Sequence, residues 1–161
     1  MKRYLIAILM AWMLFIGVDF LFHASIFASL WKEDIAIFKS TKELTILIPI
    51  GYLSFLFLSV LIGYLFFRIF KTKPAIKEVL KFGLIFGLLF SLSNLLGLFS
   101  YVVIPLKQLL LFNLVSFIEI IIVALSLYFT SFAVNLKRVI WYTILCFILL
   151  LIIGIVIQNI L

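Results

Sequence analysis

Residues 5–30 read LIAILMAWMLFIGVDFLFHASIFASL, a run apolar and long enough to cross a bilayer, yet it carries an aspartate at 19 and a histidine at 23. A span needs about 20 consecutive apolar residues. The run therefore reads as a transmembrane helix, and its two polar residues demand a reason to be there. The basic start Lys2-Arg3 followed by an apolar core imitates a secretory signal, with Ala24 or Ala28 in the place of a cleavage residue. The apolar part is too long for that, and an uncleaved first span is the better reading.

Working outward, four further segments have the same character, at about residues 46–67, 82–104, 109–132 and 139–160. Hydrophobic residues make up 68% of the 161-residue chain and its mean hydropathy is +1.44. That is far above the roughly half-apolar usage of soluble domains. The expected fold class is all-α: an integral membrane bundle of five transmembrane helices, a four-helix core plus a C-terminal span, forming a single domain over residues 1–161. Ser40-Thr41-Lys42-Glu43 has capping-box spacing before the second span. Pro74 suits the first turn of the helix leading into the third, which starts in water because Lys77, Glu78 and Lys81 come first. Pro105 closes the third span and makes a tight turn to the fourth.

Nine Lys and Arg (Lys2, Arg3, Arg68, Lys71, Lys73, Lys77, Lys81, Lys137, Arg138) fall on one side of these spans, against four (Lys32, Lys39, Lys42, Lys107) on the other. Cytoplasmic loops carry the basic excess. The expected location is therefore a multi-pass cell membrane, of the bacterial inner-membrane kind, with the N-terminus cytoplasmic and the C-terminus outside. The same topology accounts for the net charge of +7 without nucleic acid as a partner. The expected partner is the lipid bilayer, with anionic lipid contact at the basic loop 68–81; a homo-oligomer or a place in a membrane complex is compatible with the chain. Trp31, Trp141 and Tyr142 lie near span ends, where aromatic rings favour the interface. Cys146 is the only cysteine, so it has neither a disulfide partner nor a thiolate ligand set, and it is expected to be a small buried residue.

With 1.5 Å of rise per residue, Asp19, Asn94 and Glu119 all lie roughly 18–21 Å from the cytoplasmic ends of their spans. Three polar residues from three helices thus share one level near the midplane. His23 follows one turn beyond Asp19, on the same helix face. On the fourth span Gln108, Phe112, Ser116, Glu119 and Ser126 form one stripe, and on the third Gly83, Gly87, Ser91, Asn94, Gly97 and Tyr101 form another. The turn at Pro105 makes these helices antiparallel neighbours, so Asn94 is expected to reach Glu119. Gly83 and Gly87 form a GxxxG, and with Gly97 they are expected to be helix-packing positions that let a neighbouring helix approach closely.

A charged carboxylate at the bilayer centre costs at least ~2.5–3.5 kcal/mol. No Lys or Arg lies at this depth, so the charge has to be neutralised inside the cluster, and His23 is the only cationic group the bundle supplies there. The plain reading is that Asp19, His23, Asn94 and Glu119, supported by Ser91, Ser116 and Gln108, are polar glue between helices. That reading suits the amide and hydroxyls better than the acids, because a neutral group would give the same hydrogen bonds at less desolvation cost. Three classes of function follow: a nonenzymatic membrane module of unassigned role, which is the first expectation; a small proton- or cation-linked transporter or channel; and an intramembrane metal-dependent enzyme. Asp19, His23 and Glu119 are compatible with a divalent-metal site. No cofactor is otherwise indicated.

The strings VDFLFHASIFASLW, KFGLIFGLL and FIEIIIVAL, with the short basic loop after the second span, resemble a group of small four-span bacterial membrane proteins of unknown function. The resemblance covers residues 5–132. It implies a four-span bundle with Asp19 and His23 in its first helix and Glu119 in its last. The segment from Val139 to Leu161 departs from that pattern.

Overall fold

The computed structural model describes residues 2–31 and 41–160, which are helical throughout apart from short connections. The elements in order are α1 (Lys2–Asp19), a π-helical segment (Phe20–Ile26), a short 3₁₀ turn (Ala28–Trp31), α2 (Thr41–Ile69), α3 (Ile76–Tyr101), α4 (Leu106–Ser131) and α5 (Leu136–Ile160). Among the described residues, five helical stretches are long and apolar enough to cross a membrane: Lys2–Ile26, Ile46–Ile69, Ile76–Tyr101, Leu106–Ser131 and Leu136–Ile160. The chain is an all-α, multi-pass membrane bundle.

Helix ends follow local chemistry. The Ala75 N–H donates to Glu78 Oε2 at 2.8 Å, and the Glu78 N–H returns a bond to the Ala75 carbonyl at 2.9 Å. Pro74 lies just ahead of this cap instead of in the first turn, since α3 begins at Ile76. The third helix stops at Tyr101, three residues short of the expected end, and Pro105 caps α4. Pro49 sits inside α2, where its missing N–H leaves one backbone bond unmade. The expected capping box before α2 includes Ser40, which lies outside the described residues.

α4 is the central helix, packing on α1, α3 and α2. The apolar core joins Ala7, Ala11 and Phe15 of α1, Ile62 and Phe66 of α2, Val79 of α3, and Ile120, Val123, Ala124 and Leu127 of α4. These residues occupy the half of the bundle nearest the basic loops. At that end Arg3 donates to the carbonyls of Thr130 and Ala133, tying the start of α1 to the end of α4.

Small residues set the close approaches. A Cβ at Gly83 would stand 3.2 Å from the Ile121 Cα, and one at Gly87 would stand 3.1 Å from the Phe117 ring, so α3 lies tight on α4. Gly97 differs from the expected packing role: a Cβ there would meet nothing within 4 Å. α5 packs on α1 and on the π-helical segment, where a Cβ at Gly154 would meet Phe20 and Ser25 at 2.8 Å. Cys146 corrects a further expectation: it is exposed, on the face of α5 turned away from the bundle.

Candidate functional site

Directly above the apolar core, α1 ends at Asp19 and the backbone widens into π-helix. The Phe27 N–H donates to the Phe22 carbonyl at 2.8 Å, and Ser25 Oγ donates to the Phe20 carbonyl at 3.2 Å, both five residues back. π-turns inside α-helices recur at functional sites. This one carries His23, whose Nε2 lies 3.8 Å from Asp19 Oδ1 and whose ring packs 5.3 Å from that of Phe112. A regular α-helix was expected over these residues.

Glu119 reaches the same point from α4. One ligand atom from each of Asp19, His23 and Glu119 lies within 4.8 Å of the others. The three side chains differ in burial: Glu119 is 2% exposed, whereas Asp19 and His23 keep about a fifth of their side-chain surface accessible (19% and 18%). Glu119 is thus the closed floor of the cluster, and Asp19 and His23 form its open side. Glu119 Oε1 is buried and has no hydrogen-bond partner among the described residues. The Trp12 indole N–H donates to the Tyr52 carbonyl at 2.8 Å, which fixes α2 against α1 about two turns below Asp19.

Asn94 does not belong to the cluster. Its residue surface is exposed, and its amide donates to Asn113 Oδ1 at 3.0 Å, while the Asn113 amide donates to the Leu109 carbonyl at 2.8 Å. The cause is helical register. Six residues separate Asn113 from Glu119, which at 3.6 residues per turn points them about 120° apart. Asn113 therefore faces α3 while Glu119 faces α1. Asn113 was legible in the sequence: Asn94 lies seven residues before the last residue of α3 and Asn113 seven after the first of α4, so a short turn sets them opposite each other. Replacing either by Leu should cost around 0.6 kcal/mol and no more than about 1.7 kcal/mol in thermal unfolding, the range for hydrogen bonds within membranes.

Of the supporting residues, Gln108 is buried, and its amide donates to the Leu30 carbonyl at 3.4 Å, joining α4 to the end of the first span. Ser91 is buried on α3, and Ser116 is half-buried on α4.

Fold and site together describe a multi-pass helical bundle with a carboxylate–histidine cluster built between its first and fourth helices. Comparison of the chain with protein families, with curated proteins and with solved structures finds no match. Its chemistry has to be read from these residues.

Proposed function

We propose that the chain is a nonenzymatic membrane protein that binds a divalent transition-metal ion midway along its bundle, as the binding station of a small cation transporter. The observation that carries this reading is the buried Glu119 carboxylate, held with one oxygen unpartnered beside Asp19 and His23.

Three physical arguments support it. The first is charge: two carboxylates, a neutral imidazole and a divalent ion sum to zero, which removes the penalty of burying the acids in a lipid-filled layer. The second is distance. Metal–ligand bonds of about 2.0–2.2 Å in a tetrahedral site place the ligand atoms of one ion about 3.3–3.6 Å apart. The present separations, all within 4.8 Å, come into that range if the side chains close by at most about 1.5 Å, a distance that rotamer adjustment of Asp19 and His23 on the open side can cover. The third is donor type, since imidazole suits zinc, copper, iron and nickel, whereas sites made of oxygen alone suit magnesium and calcium. Three protein ligands also leave a coordination position open toward the accessible side. The basic excess on the loops supports an inner-membrane orientation with the N-terminus in the cytoplasm.

The test combines titration calorimetry on detergent-purified protein with Zn²⁺ uptake into proteoliposomes. Zn²⁺ is expected to bind more tightly than Mg²⁺, His23→Ala to abolish that preference, and Asp19→Asn to abolish uptake. Binding without uptake in any condition would remove the transport role and keep the site. Absence of Zn²⁺ binding by the native chain would end the whole reading.

A further inference from the structure

The basic end of the bundle holds a second feature, independent of the cluster. Between α1 and α2 runs a cleft of about 420 Å³ lined by Tyr4, Ile8, Val60, Tyr64, Phe67, Arg68 and Lys71. Its composition changes along its length. Arg68, in the last turn of α2, and Lys71, just beyond it, stand at the mouth. Tyr4 and Tyr64 come next, both more than half exposed, and the Tyr4 ring packs 4.3 Å from that of Phe67. Ile8 and Val60 form the inner end. The helices close behind Ile8, where a Cβ at Gly63 would stand 2.9 Å from the Ile8 side chain.

Neither the Arg68 nor the Lys71 side chain makes a hydrogen bond or ion pair among the described residues. Among the described acids only Glu78 lies at this end, and its carboxylate accepts the Ala75 N–H. A cationic mouth, a belt of tyrosines at interface level and an aliphatic inner wall repeat the order of chemical groups along a phospholipid, from phosphate through glycerol to acyl chain.

We propose that the α1–α2 cleft is a binding site for an anionic phospholipid of the adjoining leaflet, its phosphate between Arg68 and Lys71 and the first part of one acyl chain along Ile8 and Val60. Basic residues near a membrane surface attract anionic lipid with about 1 kcal/mol each. The tyrosines supply the amphipathic rings that prefer headgroup level. The cleft adds shape to that attraction, which an open basic loop lacks.

The full chain is reconstituted with equimolar phosphatidylglycerol and phosphatidylcholine and extracted into detergent, and the lipid retained is measured by native mass spectrometry. The native chain is expected to retain phosphatidylglycerol selectively. Arg68→Gln with Lys71→Gln should weaken retention about thirty-fold, the factor equivalent to about 2 kcal/mol for two basic residues. Lys77→Gln with Lys81→Gln removes the same charge from the same end outside the cleft and should leave retention intact. Val60→Trp fills the inner wall without changing charge and should displace the lipid. Equal retention of the two lipids by the native chain would overturn the proposal. So would an equal loss in both double variants, full retention by Val60→Trp, or displacement of the lipid by inorganic phosphate alone.

Discussion

Replacing Glu119 with Gln should lower Zn²⁺ affinity more than about 100-fold while leaving the metal-free bundle at least as stable as the native one. The loss exceeds the 10–100-fold caused by removing partners behind a metal ligand, because here the ligand itself is lost. The stability half of the expectation comes from the environment of the carboxylate, which is 2% exposed with one oxygen unpartnered. An unmade hydrogen bond at a buried polar group costs about 1–3 kcal/mol, more when the group is charged. An amide of the same shape removes the charge, and Glu119→Leu removes the acceptor altogether. A ligand at 100 times its dissociation constant stabilises the folded state by about 2.7 kcal/mol. Zn²⁺ at that excess should therefore raise the unfolding temperature of the native chain and leave both variants unmoved. If both variants instead lose about 2 kcal/mol without metal, and Zn²⁺ binding is unchanged, Glu119 holds helices together and ligates nothing.

The second large effect is expected at Gly154. Its missing Cβ is replaced by the Phe20 ring and the Ser25 hydroxyl, each of which would lie 2.8 Å from an added methyl. Forcing a methyl into a close-packed contact costs about 1–3 kcal/mol. The two groups that must move belong to the π-helical segment, and His23 lies between them in sequence. Gly154→Ala should therefore both destabilise the bundle and weaken Zn²⁺ binding. Gly97→Ala is the matched control, because open space surrounds that position. There the substitution should be neutral or gain about 0.5–1 kcal/mol from the better helix former. Equal stability and equal Zn²⁺ affinity in the two variants would mean that the α5 contact does not support the cluster.

The two substitutions also mark what the sequence could and could not show. Hydropathy and span length were enough for five membrane helices, and counting depth put Asp19 and Glu119 on one level. Depth is one coordinate, however, and rotation about the helix axis is another. Asn94 shared the level and not the direction, because α4 turns one face to α3 and another to α1. The π-helical segment was hidden because FLFHASI carries no Gly or Pro to announce a departure from α-helix. The docking of α5 was hidden for a related reason: Gly17 and Gly154 are single small residues in long apolar runs, and only their neighbours reveal that Phe147 and Leu150 pack over one while Phe20 covers the other. Cys146 points outward with the larger part of α5; in a bilayer an apolar outer face is solvated by lipid chains, so hydrophobicity alone does not mark an interior position.

The central position of α4 also has a consequence in time. The chain is synthesised from its N-terminus, and Glu119 follows Asp19 by 100 residues. At roughly 5–20 residues per second, the nascent protein spends about 5–20 s with Asp19 and His23 already made and their acidic counterpart still unwritten. Asn94 waits more briefly for Asn113. During that interval the first three helices can complete neither polar contact, so a chain halted before α4 would leave both to whatever water or lipid headgroups the insertion machinery lets in.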